Sequence, residues 1–215
     1  MLCQGLVAEN MKITSVKINL RDRETLKATV SIILNNCFVM RGIAIVKRRE
    51  SDDLLVRMPS RRRADDSYRS YFHPINNEVR GAMTEVILDA YRQVLENPQE
   101  NTIWYDQDEQ DPLAVSDVRV SLIRDDQLVK AIASITLEDA IALNQVRVIQ
   151  YPDSGNVLLS IPARKVVREA AEEGGEDEVH HIEYFHPLTK GCRQVLTDAV
   201  MEAYQNKLDE QAAAE

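Results

Sequence analysis

Residues 28–46 read ATVSIILNNCFVMRGIAIV, and residues 131–149 read AIASITLEDAIALNQVRVI. Ser31, Ile32 and Leu34 of the first stretch recur as Ser134, Ile135 and Leu137 of the second, at a constant offset of 103. The match extends upstream, where Val16–Leu20 answers Val118–Leu122 with a one-residue change of register. Downstream, Leu55-Val56-Arg57-Met58-Pro59-Ser60-Arg61 falls on Leu158-Leu159-Ser160-Ile161-Pro162-Ala163-Arg164. Ten further residues enter the second copy before Tyr71-Phe72-His73-Pro74 meets Tyr184-Phe185-His186-Pro187, and the register then holds to Leu95 and Leu208. Self-similarity over nearly the whole unit marks a tandem duplication, which must be recognised before any single element is assigned.

Within each copy the pattern predicts several strands and then one helix. VKINL, LKATVSIIL, CFVMRGIAIV and LLVRM are β-branched or apolar runs of strand length, separated by polar turns such as RDRET and KRRESDD. After the His-Pro pair, Val79, Met83, Val86, Ile87, Ala90, Tyr91, Val94 and Leu95 recur three and four apart, as do Cys192, Leu196, Ala199, Val200, Ala203, Tyr204 and Leu208. That spacing is one face of a helix, to be docked on the sheet. Proline keeps the preceding histidine extended, and Asn76 or Thr189 supplies an N-cap oxygen. The fold class expected is therefore α+β: two tandem domains, each a mainly antiparallel sheet with a C-terminal helix, packed as a pseudo-dimer through matching strands. The boundaries read as an N-terminal extension over 1–10, a first domain over 11–95, an acidic linker over 96–113, a second domain over 114–208 and a tail over 209–215. Met11 opens a strand-like run and would be a natural start, so residues 1–10 are expected to carry no fold.

The formal charge of −9 hides an uneven distribution. Residues 11–95 hold 16 Lys/Arg against 10 Asp/Glu, whereas residues 114–208 hold 10 against 15. Such asymmetry points to a division of labour between halves. No apolar run approaches a membrane span, and the first ten residues lack the pattern of a signal peptide, so a cytoplasmic protein without membrane contact is expected. Cys3, Cys37 and Cys192 are odd in number and not in equivalent places, which argues for reduced thiols over a disulfide framework or a thiolate metal site. Trp104, inside the acidic linker, is expected to dock against a neighbouring domain.

The chemistry-bearing stretch is MPSRRR, where Arg61, Arg62 and Arg63 follow Pro59 and Ser60 and are soon joined by Arg69. Guanidinium groups keep their charge and present planar forks of donors that suit phosphate, and a cluster of them releases counterions on binding nucleic acid. The Ser60 hydroxyl can add a hydrogen bond to a phosphate oxygen. Arg80 falls in the first helical turn, beside amides that also favour an anion. In the second copy Arg164 and Lys165 remain, but residues 167–181 add six acids and a single Arg next to them, so that copy is expected to contribute less. This acidic insert reads equally as a mobile loop, a nucleic-acid mimic or a partner site. Lys47, Arg48 and Arg49 form another basic run, read first as a solvated turn.

The succession FVMRGIAIV, MPSRRR, Tyr68-Arg69, His73-Pro74-Ile75-Asn76 and Arg80 resembles the SpoVG family of septation and sporulation regulators. The first copy matches best; the second keeps AIASITL, Pro162, Arg164, Lys165 and His186-Pro187-Leu188 but has Ala163 where the loop serine stands. The resemblance implies a compact sheet-and-helix domain, dimerisation between domains, DNA or RNA binding, and a role in septation and gene control. Partners expected on this reading are DNA or RNA, with the intramolecular pseudo-dimer and further self-association also open. An alternative is an adaptor of the division machinery, in which the acidic copy and linker recruit a protein. An enzyme is not expected: no nucleophile elbow, phosphate-binding glycine loop or zinc spacing is present, and His73 and His186 suit structural hydrogen bonds. No catalytic residue, metal or cofactor is assigned.

Overall fold

The duplicated segments form duplicated sheets. A computed structural model describes residues 5–108, 112–124, 126–168 and 178–214. The first copy runs β1 (Leu6–Ala8), β2 (Met11–Leu20), β3 (Leu26–Leu34), β4 (Phe38–Lys47), β5 (Leu54–Arg57), β6 (Ser60–Arg62), β7 (Tyr68–Ser70), β8 (Phe72–Pro74) and α1 (Asn77–Glu96). After β9 (Thr102–Trp104) in the linker, the second runs β10 (Val115–Leu122), β11 (Val129–Leu137), β12 (Ile141–Gln150), β13 (Val157–Ser160), β14 (Ala163–Arg168), β15 (Glu178–Glu183), β16 (Phe185–Pro187) and α2 (Lys190–Ala214). All pairings are antiparallel.

Local chemistry explains the shared core of each sheet. Along β3 the side chains of Ala28, Val30, Ile32 and Leu34 are buried while their neighbours are not, and Ala131, Ala133, Ile135 and Leu137 repeat this along β11. The alternation is that of a sheet with one face on the core. Each hairpin into the next strand closes on two left-handed residues, Asn35 and Asn36 at φ 45° and 50°, and Glu138 and Asp139 at 49° and 47°. This is the mirror-image turn whose twist matches the flanking strands. Asn76 caps α1 by accepting the Val79 amide at 2.8 Å, and the Thr189 hydroxyl accepts from Cys192 at 3.2 Å ahead of α2.

The copies do not merely abut. β8 of the first copy adds to the second copy's sheet beside β12, with Phe72 opposite Leu143, and β16 of the second adds to β4 of the first, with Phe185 opposite Met40. Leu143 and Met40 are equivalent positions, so the exchange is pseudo-symmetric. Arg41 N–H donates to the Tyr184 carbonyl at 2.6 Å and Asn144 N–H to that of Tyr71 at 2.7 Å, again at equivalent positions. Tyr71 stacks on Tyr184 with centroids 3.9 Å apart, and Phe72 meets Phe185 edge-on at 6.3 Å. Phe38, Phe72 and Phe185 are wholly buried, and the buried residues of both copies form one continuous core. Cys37 and Cys192, read as reduced thiols, are free and buried and meet across this boundary, where hydrogen bonding from Cys192 outweighs burial and lowers Cys37.

Other expectations need correction. The segment expected to carry no fold holds a strand, because Leu6–Ala8 pairs with β2 and buries Val7. The linker is not a bare connection, since β9 pairs with β2 at Ser15–Lys17. Trp104 stays 53% exposed; its neighbour Tyr105 docks instead, donating to the Val86 carbonyl at 3.2 Å and approaching Asp89 at 3.3 Å. Helix α2 continues through the expected tail to Ala214.

Candidate functional site

The arginine segment expected to be a loop is a β-hairpin. β6 pairs with β7 with Ser60 opposite Ser70, Arg61 opposite Arg69 and Arg62 opposite Tyr68. The turn is closed by the Arg63 amide donating to Ser67 at 2.8 Å, with Asp66 left-handed at φ 61°. Asp65 accepts from the Ser67 amide and hydroxyl, which holds its carboxyl below the usual range.

Pairing sorts the arginines. Directly opposed residues of an antiparallel ladder share a face, and like charges placed so are destabilising. Arg61 and Arg69 therefore present two guanidinium groups on one face, with no carboxylate paired to either among the described residues. Arg62 is partly neutralised by Asp66 at 2.9 Å, and Arg63 lies at the turn, where its charge helps lower Asp65. The three consecutive arginines are thus not one cluster.

The second copy supplies cations that sequence reasoning did not assign. Arg61 lines a cleft of about 240 Å³ together with Tyr71, Gln145, Arg147 and His181. From the same face of the hairpin Arg69 reaches a separate groove of about 660 Å³, lined also by His73, Asp117, Arg119, Ser134 and Asn144, where Arg119 is paired to Asp117 at 2.9 Å. Arg119 and Arg147 are both exposed, on strands β10 and β12. Their signal in the sequence was Val118-Arg119-Val120 and Val146-Arg147-Val148, basic residues alternating with valines, hidden by the acidic total of that copy.

Gln145 is the anomaly of the cleft. It is 7% exposed, has a left-handed φ of 67°, and its Nε2 has no hydrogen-bond partner among the described residues. Its counterpart is Gly42, at φ 83° against the Tyr184 ring. The remaining expected residues are dispersed. Arg80 is exposed in the first turn of α1, near enough for its charge to lower His73. Arg164 and Lys165 lie on β14 opposite Ile182 and His181, and Arg164 acts on the Tyr184 hydroxyl. β14 and β15 make a hairpin of the two ends of the acidic insert, whose tip, 169–177, lies outside the described residues. Lys47 contacts Asp52, as befits a solvated turn.

His73 and His186 sit at the exchanged strands. Asn144 Nδ2 approaches His73 Nδ1 at 3.4 Å and Ser70 Oγ lies at 2.9 Å; the Arg41 guanidinium reaches His186 Nδ1 at 3.0 Å. Burial first, then Arg80 for the one and Arg41 and Arg193 for the other, lower both imidazoles. Glu183 also lies 3.2 Å from His186 Nδ1, which would favour the cation. Arg41 can only donate, so the Nδ1 lone pair is taken and the neutral ring prevails. Among the described residues no group of three or more His, Cys, Asp and Glu could hold a metal, and no helix is long and apolar enough to cross a membrane.

Comparison with known proteins agrees with the repeat. A family model described as SpoVG matches twice, over residues 11–93 and 113–206. A putative septation protein SpoVG of Bdellovibrio bacteriovorus is 38% identical over 93 residues, 43% of this chain and 84% of the relative. Proteins of the same name from Phytoplasma australiense and Myxococcus xanthus are 37% and 36% identical, over 42% and 41% of this chain and 94% and 88% of their own lengths.

Proposed function

This chain belongs to the SpoVG family, and from that premise we propose that it is a nucleic-acid-binding regulator linked to septation, sporulation and gene control. It acts without catalysis, holding the phosphate backbone on the face where the first copy's hairpin leans over the second copy's sheet. The observation that carries this reading is the facing pair Arg61 and Arg69, extended by Arg147 in the cleft beside Arg61. Two like charges fixed opposite each other cost stability in the free protein and are relieved by an anion laid between them. Ser60 at the hairpin base and Arg80 beside His73 extend the surface, whereas Arg62 is ion-paired to Asp66 and Arg63 lies at the turn with its charge near Asp65. Arg164 and Lys165 lie on the pseudo-equivalent strand and contribute less, beside the acidic insert.

The test is binding of labelled duplex DNA and single-stranded RNA across a salt series. Replacing Arg61 and Arg69 together by Ala flattens the plot of log affinity against log salt by about 0.9 for each duplex phosphate no longer neutralised, so by roughly 1.8. Replacing Arg164 and Lys165 costs less. Unchanged affinity in the Arg61/Arg69 variant removes the hairpin from the site and transfers the role to the adaptor reading, in which the acidic copy recruits a division protein.

A further inference from the structure

The two sheets differ at one edge. In the first copy the outer edge of β2 is closed twice, by β1 near Met11 and by β9 at Ser15–Lys17. In the second copy the equivalent strand β10 pairs with β11 alone among the described residues, leaving an eight-residue edge open. Long open edges are templates for pairing with another chain unless something blocks them.

The direction of the free groups follows from the ladder. Ile123 N–H donates to the Lys130 carbonyl at 2.8 Å, and the register from Asp117 to Leu122 is regular. By alternation, Asp117, Arg119 and Ser121 turn their backbone groups to β11, and Val118, Val120 and Leu122 turn theirs outward. The first copy has the same parity, because Ile18, the counterpart of Val120, donates outward to Asn101 at 2.8 Å.

The side chains of this edge are self-complementary. If two β10 strands run antiparallel about a two-fold axis at Val118, that valine faces its own copy as a hydrogen-bonded pair. Asp117 then faces the other chain's Arg119, and Arg119 faces its Asp117. Both residues are exposed and on the solvent face, and within one chain they already pair at 2.9 Å. Centring the axis on Arg119 would oppose two arginines, and centring it on Val120 would leave Arg119 opposite a serine, so only the Val118 register matches every charge.

We propose that the open edge of β10 is a self-association surface, through which a second copy of this chain pairs antiparallel about Val118 with reciprocal Asp117–Arg119 contacts. The two second-copy sheets then become one continuous sheet, and a dimer of pseudo-dimers results. An interface of one strand pair is small, so the association is weak and concentration-dependent. It does not depend on the nucleic-acid reading, and its readout is mass without nucleic acid.

Sedimentation equilibrium of the full chain over a rising concentration series gives a mass climbing from 24.5 kDa toward twice that value. Arg119→Asp and Asp117→Arg, each alone, put like charges opposite each other at both contacts and weaken association at least about tenfold. An equimolar mixture of the two variants restores it, because every contact is again between opposite charges. Should a charge reversal disturb folding, hydrogen exchange on the unaltered chain still decides: amides of Val118 and Val120 gain protection with concentration, while those of exposed turns do not. A mass fixed at 24.5 kDa throughout, a single variant that dimerises as well as the parent, a mixture that stays monomeric, or concentration-independent exchange at Val118 overturns the proposal.

Discussion

Gly42 and Gln145 occupy one position in two copies of the same strand, and exchanging their chemistry should move stability in opposite directions. At Gly42, an alanine Cβ would lie 3.2 and 3.3 Å from two carbons of the Tyr184 ring and 3.4 Å from Cβ of Pro59. The ring cannot retreat, because it stacks on Tyr71 at 3.9 Å. The left-handed backbone costs an L residue about 1–2 kcal/mol. Crowding a packed ring adds about 1 kcal/mol more, so Gly42→Ala loses about 2–3 kcal/mol. Gln145→Gly removes a similar backbone strain and a buried amide nitrogen lacking a partner, the latter alone costing about 1–3 kcal/mol. Against this stand the extra chain entropy of glycine, about 0.5–1 kcal/mol, and the forfeited packing of the buried methylenes, about 1 kcal/mol. The net is a gain of about 2 kcal/mol. For a chain of this size each kcal/mol moves Tm by about 2–4 °C, so Gly42→Ala melts roughly 4–12 °C lower and Gln145→Gly roughly 4–8 °C higher. Calorimetry on the three proteins checks both signs. If Gly42→Ala is neutral, or Gln145→Gly falls as far as Gly42→Ala, the argument from backbone strain and the orphaned amide is wrong.

Phe185→Ala empties a wholly buried position shared by both copies and should cost about 3–5 kcal/mol, with one cooperative melt; two transitions moving separately would refute the shared core. Both His73 and His186 have pKa values lowered in the folded state, so the unfolded chain binds their protons first; stability is full above about pH 6.5 and falls as pH drops below it. Denaturation at a series of pH values checks this, and a rise in stability on acidification from pH 7 would contradict the neutral assignment. Asn76→Ala removes the side-chain acceptor of the Val79 amide and should lower stability by about 1 kcal/mol, measurable as a shift in urea midpoint at constant slope. Arg62→Ala should weaken nucleic-acid binding less than Arg61→Ala, since Asp66 already holds Arg62; equal losses would mean that the hairpin's two faces bind alike.

The repeat, the strand runs of each sheet and the capped helices were legible because they rest on local periodicity and on turn and cap residues within a few positions. The exchange of β8 and β16 was not, because Phe72-His73-Pro74 carries no mark saying which sheet it joins; that choice is made by Leu143 and Met40, far along the chain. Leu6–Ala8 and Thr102–Trp104 carry no legible strand signal because three residues are too few to show alternation. At the candidate site the arginines were legible as types, but their faces were set by the hairpin register, which pairs Arg61 with Arg69 and hands Arg62 to Asp66. The role of Arg119 and Arg147 is not legible in the sequence, because the charge of a whole copy averages away which surface each charge occupies.

The exchanged strands also bear on the order in which the protein can be completed during synthesis. When the ribosome has finished the first copy, the edge of β4 at Phe38–Met40 lacks the strand that closes it, because Phe185–Pro187 lies roughly 90 residues further on. At about 5–20 residues per second that edge waits on the order of ten seconds, with Phe38 not yet stacked on Phe185. A nascent first copy is therefore the stage at which two growing chains on neighbouring ribosomes are most prone to close each other's edges. The joining of both halves in a single chain bounds this interval, because the closing strand always arrives on the same chain.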